Sequence, residues 1–305
     1  MSKLICKMDS KEFTLILKKD ADFVNNELQN MYSKVDKSHI ERLVEAELYS
    51  LMAGGKRIRP IITLSFCRML GGEDRTAIPY ACALEMVHTS SLIHDDLPCL
   101  DNDVLRRGRP TNHTVYGEAT ALLAGDGLLA DAFFAVATNP YATAGMNVQA
   151  IATLAEAAGM YGIVGGQHID MAGETEELDL PTLERMHSYK TGAMFRASAV
   201  MGAIAAGVSL DDERMKDVID YSEKIGLVFQ IIDDILDVTG SVEMLGKKTG
   251  RDEKESKTTS LRFHSIEEAF YRAERLTRLA IDAVSKYENS DFLTDLAIFL
   301  LNRKH

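Results

Sequence analysis

Apolar residues recur at helical spacing along almost the whole chain. In the segment Phe13–Met31 they form one stripe with charged residues opposite, which is the pattern of a helix packed against a core. The spacing predicts helices over six further segments: Ile40–Met52, Ile78–Leu97, Ala119–Ala137, Gln149–Ile163, Asp211–Asp237 and Ser265–Lys286. The apolar run Ala197–Val208 is predicted to be a buried helix.

Glycine and proline mark the breaks between these segments. The predicted breaks are Gly54-Gly55, Gly71-Gly72, Arg107–Pro110, Asn139-Pro140, Gly165-Gly166, Leu180-Pro181 and Gly246–Gly250. The sequence contains no block of strand-like alternation, no repeat of fixed period and no low-complexity linker. We therefore predict one all-α domain over residues 1–305, built of about ten antiparallel helices.

Composition and charge narrow the class of protein. The chain has 305 residues, of which 46% are hydrophobic, a net charge of −12 and a pI near 5.2. Nucleic-acid binding is not expected because it needs a basic face. No uncharged apolar run reaches the length of a membrane span, so we expect none. The N-terminus shows no secretory signal and the cysteines no CxxC spacing, which favours a cytoplasmic protein with reduced thiols.

The stretch TSSLIHDDLPCLDND, from Thr89 to Asp103, concentrates aspartates at one point of an acidic chain. Pro98 disfavours helix at the residue before it, so Asp95 and Asp96 are expected at a helix C-terminal end. The helix dipole is already negative there, and two carboxylates are unfavourable unless a cation binds. A solvated acidic loop is the alternative. An EF-hand fits poorly because Leu105 and Arg106 stand where an oxygen ligand and a glycine belong.

A second acidic cluster strengthens the metal interpretation. Asp233 and Asp237 lie four residues apart, on one helix face, within the run Leu227–Val238 that is otherwise apolar and predicted to be core. Buried like charges repel unless a cation compensates them. Carboxylate oxygens on two helices suit Mg²⁺ best, particularly when phosphate oxygens complete its coordination.

Four basic segments accompany the acidic clusters. Each could be a solvated charged patch, but together with two metal-type clusters they indicate a diphosphate held partly by Mg²⁺ and partly by arginine and lysine. These segments are Gly54–Pro60, Arg106–Arg109, Lys190–Gly192 and Lys247-Lys248.

Together these motifs resemble the trans-isoprenyl diphosphate synthases. DDLPCLDND followed by LRRGRPTNH is similar to the family's first aspartate-rich motif in its bacterial and plant form, and FQIIDDILD is similar to the second. The blocks GGKRIRP, YGEATALLAGDGLL, GGQHID, KTG and LGKKTGRDEKESKTT appear in the family's order. The resemblance implies an all-helical isoprenoid synthase fold around a deep central cavity, usually as a homodimer.

The resemblance also implies residue roles. It assigns Mg²⁺ to Asp95, Asp101 and Asp233, with Asp96 and Asp237 close by. It also implies about three ions per active site when substrate is bound, with Mn²⁺ as a substitute. Asp234 joins these aspartates in the catalytic set. The residues matching the allylic diphosphate site are Arg106, Lys190, Thr191, Gln230 and Lys247. The residues matching the isopentenyl diphosphate site are Gly55, Lys56, Arg59, His88 and Arg107, and Lys257 is a further substrate-binding candidate.

The implied reaction condenses isopentenyl diphosphate with dimethylallyl, geranyl or farnesyl diphosphate. Metal-assisted ionisation gives an allylic carbocation, which the double bond of isopentenyl diphosphate attacks before a proton is lost. His88 lies seven residues before Asp95, so the two share one helix face. Because water would trap the cation, the segment Lys247–Lys257 and the tail Arg303-Lys304 are candidate closing elements.

Small residues below Asp95 bear on product length. Ser91 and Ser90 lie about 6–7.5 Å below Asp95 along the helix axis, where a substrate tail would extend. Short-chain farnesyl-type enzymes often carry an aromatic residue at the position of Ser90. We therefore predict a floor near Met86 or Val87 and geranylgeranyl diphosphate as the product. The alternatives are farnesyl diphosphate, or a floor from another helix, through Leu122, Leu123 or Phe133.

Three other classes are less consistent with the sequence. A terpene cyclase would need an NDxxSxxxE-type motif, which is missing. A non-catalytic subunit of a heteromeric synthase typically loses an aspartate-rich motif, and both are present here. A metal-storage bundle would need a second pair like Glu85 and His88 on a partnering helix, and the sequence offers none.

Overall fold

A computed structural model describes residues 4–245, 261 and 263–303 of the chain. The regular secondary structure of the described residues is helical apart from a two-stranded antiparallel hairpin, in which Leu105 pairs with Pro110 and Arg106 with Arg109. The all-α prediction is confirmed. The elements are α1 (Ser10–Ser33), α2 (Glu41–Leu51), α3 (Ile58–Met69), α4 (Asp74–Asp95), β1 (Leu105–Arg106), β2 (Arg109–Pro110), α5 (Asn112–Tyr116), α6 (Glu118–Ala137), α7 (Ala144–Ala158), α8 (Ile163–Gly173), α9 (Leu180–His187), the π-turn (Ser188–Gly192), α10 (Ala193–Ala205), α11 (Arg214–Leu245), α12 (Ile266–Val284) and α13 (Asp291–Leu301).

The chain divides into two compact units, each with its own packing. The N-terminal unit comprises Ser10–Leu154 and Val200–Leu210. The C-terminal unit comprises the described residues of three segments: Met1–Asp9, Ala155–Ala199 and Asp211–His305.

Helix α4 is the central element of the N-terminal unit. Its residues from Thr76 to Val87 are all buried. This part of the helix is therefore buried around its whole circumference rather than along one stripe. Pro79 lies inside the helix, near its beginning, and the helix continues beyond it to Asp95. Near its other end, the buried Ser90 donates a hydrogen bond of 2.7 Å to the Gly125 carbonyl of α6. This contact holds α4 against α6 one turn before the first acidic cluster.

Helix α11 organises the C-terminal unit through one apolar face. Val228, Ile231, Ile232 and Ile235 pack in one cluster with Ala269 and Ala273 of α12 and Leu301 of α13. Because successive helical residues are rotated by about 100°, this packing leaves a different face of α11 for the polar residues Gln230, Asp233 and Asp237.

Two predicted boundaries were wrong. The helix predicted over Gln149–Ile163 is divided, since α7 ends at Ala158 and α8 begins at Ile163. Gly165-Gly166, predicted as a break, lies inside α8. Gly166 allows close approach rather than a turn, because a Cβ there would overlap the backbone nitrogen of Lys190. The predicted break Gly246–Gly250 lies outside the described residues.

The stretches Glu118–Ala137 and Ala144–Gly173 are long and apolar enough to cross a membrane by length and composition alone. Core helices of soluble proteins and helices at subunit contacts have the same composition. Only 33% of the tested window in the first stretch and 28% in the second is buried within the chain. Asp126 and Asp131 lie within the first stretch, where a membrane would penalise them.

Candidate active site

The first acidic cluster is built by the end of α4 and the loop that folds back on it. Asp95 is the last residue of α4 and Asp96 caps it, as the sequence predicts. The backbone N–H of Asp101 donates to the carbonyl of Asp95 over 2.9 Å, and that of Asn102 donates to Leu97 over 3.1 Å. The loop containing Pro98 therefore returns Asp101 to the helix end that carries Asp95.

Arg106 engages Asp96, the buried member of this cluster. Asp96 is 3% exposed, and its Oδ1 accepts hydrogen bonds of 2.7 Å from both Nε and Nη2 of Arg106. Burial raises the pKa of the Asp96 carboxyl, and the Arg106 guanidinium opposes that rise. The β-hairpin thus presents Arg106 to the helix end, where the pair leaves Asp95 and Asp101 as the partly exposed carboxylates.

The donor set at this end of α4 fits Mg²⁺. Asp95 and Asp101 supply only carboxylate oxygens, which a hard cation prefers. Within the described residues, no three histidine, cysteine, aspartate or glutamate side chains converge closely enough to hold a metal ion by themselves. Mg²⁺ commonly binds through one or two carboxylates together with water and substrate phosphate, so a sparse carboxylate set is consistent with a metal-bridged diphosphate.

A basic cluster lies beside α4 in the same unit. Gly54 and Gly55 have φ values of 88° and 131°, and Arg107 donates a hydrogen bond to the Gly54 carbonyl. A Cβ on Gly55 would lie 2.7 Å from Nη1 of Arg107, so a side chain there would displace that guanidinium. Nη1 of Arg59 lies 3.5 Å from Nε2 of His88. The structure therefore brings together four residues expected at the isopentenyl diphosphate site.

The electrostatics of this cluster favour an anion. Burial, followed by the positive charges of Arg59 and Arg107, holds the pKa of His88 well below its usual value. The imidazole is therefore neutral at pH 7 and can accept or donate a hydrogen bond without adding charge. Lys56, the fifth residue expected here, is exposed at the edge of the loop.

The second acidic cluster differs from the sequence-based expectation. Asp237 was expected within the core, but it is exposed, and Asp233 is partly exposed; the buried member is Asp234, which is 4% exposed. The apolar run suggested burial because α11 has one buried face, whereas Asp237 lies on another. Burial raises the pKa of Asp233, and Arg303 opposes that rise.

Arg303 supplies the counter-charge to Asp233 from the end of the chain. Its Nη2 lies 2.5 Å from Oδ1 of Asp233 and donates to the Phe229 carbonyl over 2.6 Å. The guanidinium also stacks 3.8 Å from the centre of the Phe229 ring. Arg303 was predicted as part of a closing tail, and the structure places it directly on a predicted metal ligand. Lys304, the other tail residue, lies outside the described residues.

The π-turn and α11 share a chain of polar contacts. Thr191 donates to Oε1 of Gln230 over 3.1 Å, and Nε2 of Gln230 donates to Oδ1 of Asp234 over 3.0 Å. π-Helical turns within α-helices often occur at functional sites. The structure thus groups Thr191 and Gln230, both expected at the allylic diphosphate site, with Asp234 of the catalytic set. Lys247 and Lys257 lie outside the described residues.

Three residues close to the groups described above, two in the C-terminal unit and one in the N-terminal unit, were given no role from the sequence. Asp170 pairs with Nζ of Lys190 over 2.6 Å. Both amide atoms of the buried Gln167 make no hydrogen bond within the described part of the chain, although such groups normally do. Arg57 is buried beside Glu85. Gln167 and Asp170 stand in the GGQHID block, but no spacing in the sequence connects them to Lys190.

The residues expected to set product length lie on the buried part of α4. Met86 and Val87 are each 2% exposed and Ser90 is 3% exposed. Ser91 is partly exposed and donates to the His88 carbonyl over 2.9 Å. The Ser90 hydroxyl is directed to α6, so any larger side chain at this position would enter the contact between α4 and α6 or the space beside it.

The all-helical fold, the two carboxylate clusters and the basic cluster are consistent with a prenyltransferase, and comparison with known proteins gives the family. The polyprenyl synthetase family matches residues 40–291. A geranylgeranyl diphosphate synthase of Cyanophora paradoxa is 46% identical over 84% of this chain and 86% of its own. The large subunit 1 of a heterodimeric chloroplastic geranylgeranyl pyrophosphate synthase of Arabidopsis thaliana is 46% identical over 84% of this chain and 70% of its own.

A solved structure agrees with these relatives. The apo crystal structure of an FPP/GFPP synthase from Zymomonas mobilis has a TM-score of 0.83 and 34% identity, and the match covers 94% of this chain and 99% of that one. The chain belongs to the polyprenyl synthetase family. It is a short-chain trans-prenyl diphosphate synthase, of a family that typically uses Mg²⁺.

Proposed function

We propose that this enzyme condenses isopentenyl diphosphate with dimethylallyl, geranyl and farnesyl diphosphates, and that geranylgeranyl diphosphate is its final product. The observation that carries the two-substrate proposal is the arrangement on α4. His88 and Asp95 lie on one face about 10 Å apart along the axis. Two diphosphates can then bind in one unit by different means, one through cationic side chains and the other through metal-bridged carboxylates.

Different residues bind the two diphosphates. Arg59 and Arg107 hold the diphosphate of isopentenyl diphosphate, and His88 orients it. Asp95 and Asp101 at the end of α4 would hold Mg²⁺ in one unit, and Asp233 and Asp237 on α11 would do so in the other, with Mn²⁺ as a substitute. When bound, the metal neutralises charge that develops on the leaving diphosphate.

The second group of residues acts around the reacting carbons. Lys190 adds a positive charge for the departing diphosphate, and Asp170 fixes its position. The hydroxyl of Thr191 and the amide of Gln230 are ordered by their mutual hydrogen bond. Such fixed dipoles can face a developing allylic cation without reorganising.

One assay tests the reaction. The protein is incubated with Mg²⁺, isopentenyl diphosphate and each of the three allylic diphosphates, and products are separated by chain length. We expect turnover with all three primers and accumulation of geranylgeranyl diphosphate. Turnover with none would contradict the proposal, whereas accumulation of farnesyl diphosphate would contradict only the assigned product.

The proposal on product length rests on the small side chain of Ser90. The names of several relatives, including the enzyme of Cyanophora paradoxa, specify geranylgeranyl diphosphate. Ser90→Tyr should shorten the product to farnesyl diphosphate, because the ring would occupy space below Asp95. Ser90→Ala is the matched control, since it removes the hydrogen bond to Gly125 without adding bulk and should leave chain length unchanged. Unchanged length in Ser90→Tyr would show that this position does not face the growing chain.

We further propose that the enzyme is a homodimer associating through α6. Leu122, Leu123 and Phe134 of this helix are 47%, 55% and 68% exposed, which is unusual for large apolar residues within one helix. Light scattering should give twice the chain mass, and Phe134→Glu should give the monomer mass. A monomeric wild-type protein, or a variant that remains dimeric, would contradict this assignment. Association only with a second, different chain would instead match the relative named as a heterodimeric large subunit.

A further inference from the structure

Arg57 occupies a backbone conformation that its residue type disfavours. Its φ is 50° and its ψ 35°, in the left-handed region, where side chains other than glycine, asparagine and aspartate are uncommon. The same loop already uses glycine at Gly54 and Gly55, where φ is also positive. An arginine at such a position suggests that its side chain makes contacts which a glycine would lose.

The Arg57 guanidinium connects the loop to three helices. It is buried and lies 2.5 Å from Oε1 of Glu85 on α4. It also donates to the Leu51 carbonyl at the end of α2 over 2.6 Å and to Oδ1 of Asn25 on α1 over 2.9 Å. The planar guanidinium can satisfy several acceptors in fixed directions, which an ammonium group cannot do in the same geometry.

These contacts border the proposed isopentenyl diphosphate pocket. Arg57 lies between Lys56 and Arg59 in the chain, and its partner Glu85 is three residues before His88, on the same side of α4. The Arg57–Glu85 pair and the Arg59–His88 contact are thus two successive connections between the beginning of α3 and α4. The first is buried and charged; the second is longer, at 3.5 Å, and only partly buried.

A purely structural ion pair is the competing explanation, and the same unit contains one. Arg68, near the other end of α3, pairs with Asp20 over 2.6 Å and with Asp74 over 2.7 Å. It joins helices just as Arg57 does, but its contacts do not border the loop of Gly54 and Gly55. Arg57 and Arg68 therefore allow a comparison within one helix and its N-cap, in which the Arg57 side chain is 1% exposed and that of Arg68 is 35% exposed.

We propose that Arg57 is a positioning residue for the non-ionising substrate, isopentenyl diphosphate. By fixing the loop against Glu85, it holds Lys56 and Arg59 at the separation from His88 that one diphosphate requires. The proposal rests on the proposed function, because it takes the pocket to be the isopentenyl diphosphate site. Arg57 itself is buried and does not need to touch the substrate.

The test compares Arg57→Lys with Arg68→Lys. Arg57→Lys keeps the positive charge but loses the fork of contacts, so KM for isopentenyl diphosphate should rise about tenfold while KM for the allylic diphosphate and kcat stay within about twofold. Calorimetric titration of the metal-free protein with isopentenyl diphosphate should show the same loss of affinity. Arg68→Lys should lower Tm comparably and change neither KM.

Two further variants make the outcome decisive. Glu85→Gln retains an acceptor for Arg57, so it should raise KM for isopentenyl diphosphate less than Arg57→Lys does. Arg59→Met tests the pocket itself, and an unchanged affinity for isopentenyl diphosphate in this variant would overturn the proposed pocket. If Arg59→Met weakens binding but Arg57→Lys only lowers Tm, or raises both KM values equally, the positioning role of Arg57 is overturned while the proposed function stands.

Discussion

The two acidic clusters use arginine in different ways. In the N-terminal unit, Arg106 binds Asp96, a buried neighbour of the predicted metal ligands, and leaves Asp95 partly exposed. In the C-terminal unit, Arg303 binds Asp233, which is itself a predicted metal ligand. Arg106 therefore stabilises a carboxylate next to the predicted metal ligands, whereas Arg303 occupies one of the carboxylate oxygens that a metal would use.

Arg106 and Arg303 therefore have different functions as counter-charges. A buried carboxylate such as Asp96 needs a permanent partner, because an unpaired buried charge is strongly unfavourable. The side chain of Asp233 is 39% exposed, although that of Arg303 is only 9% exposed, so water can reach the carboxylate of this pair more readily than that of Asp96. We infer that the pair of Arg106 and Asp96 persists through the catalytic cycle, while Arg303 must leave Asp233 when metal arrives.

The largest effect should come from removing a metal ligand from either cluster. Asp95→Ala and Asp233→Ala should each lower kcat by about 10³-fold, because each removes a carboxylate that holds charge-neutralising metal at the leaving group. Turnover at saturating Mg²⁺ and both substrates is the measurement. Asp282→Asn, at an exposed position on α12, should retain wild-type turnover. Retention of activity within tenfold by either alanine variant would remove that cluster from the metal site.

Loss of Arg106 should have the next largest effect. Arg106→Met leaves Asp96 buried without its counter-charge and removes a cation from the allylic diphosphate site. We expect KM for the allylic diphosphate to rise by about tenfold or more, with Tm lowered as well. Steady-state kinetics with each substrate varied in turn would show whether KM for isopentenyl diphosphate is spared.

Arg109 provides the control for this variant. It lies in the same hairpin and is exposed, with its guanidinium 4.4 Å from the centre of the Tyr49 ring. Arg109→Met should change KM for the allylic diphosphate by less than about twofold, since an exposed cation–π contact contributes little. Equal effects in Arg106→Met and Arg109→Met would mean that the general charge of the hairpin, rather than the pair with Asp96, determines binding.

Removal of Arg303 should have a smaller effect in the opposite direction. Arg303→Met frees Asp233 before metal arrives, so Mg²⁺ should bind the substrate-free protein more tightly, by about fivefold, as expected for losing competition from a partly exposed ion pair. Calorimetric titration with Mg²⁺ at constant ionic strength measures this. Arg272→Met, which breaks an ion pair with Glu184 in the same unit, should leave Mg²⁺ affinity unchanged. Weaker Mg²⁺ binding in Arg303→Met would instead make Arg303 a supporting residue like Arg106.

The two clusters also differ in how far the sequence could predict them. The end of α4 follows from local information, since Pro98 and the adjacent aspartates set the helix terminus and the spacing of His88 sets the shared face. The pair of Arg303 and Asp233 depends on packing of the chain end against α11, which no local spacing records. The exposure of Asp237 was missed for a related reason: an apolar run predicts burial, but only the tertiary contacts show which face is buried.

A third acidic group, without an arginine, completes the comparison. Glu47 of α2 is 4% exposed, and Tyr32 lies between it and Asp131, donating to Oδ2 of the latter over 3.3 Å. Among the ion pairs of the described residues, neither carboxylate has a lysine or arginine partner. Burial, with a smaller contribution from Asp131, raises the pKa of Glu47 to about 7, although the neighbouring Tyr32 hydroxyl opposes the rise.

Glu47 should therefore give the protein a stability that depends on pH. Its pKa is higher in the folded chain than the value of 4.5 expected when unfolded, so its contribution is fully present below about pH 4.5 and is lost as pH rises through about 7. Glu47→Gln should remove about 3 kcal/mol of the difference in unfolding free energy between pH 4.5 and 7.5, measured by urea denaturation. Glu45→Gln, at an exposed position on the same helix, should leave that difference unchanged. An unaltered pH dependence in Glu47→Gln would mean that water or local rearrangement solvates this carboxylate, and that burial without an arginine is tolerated here as easily as burial with one.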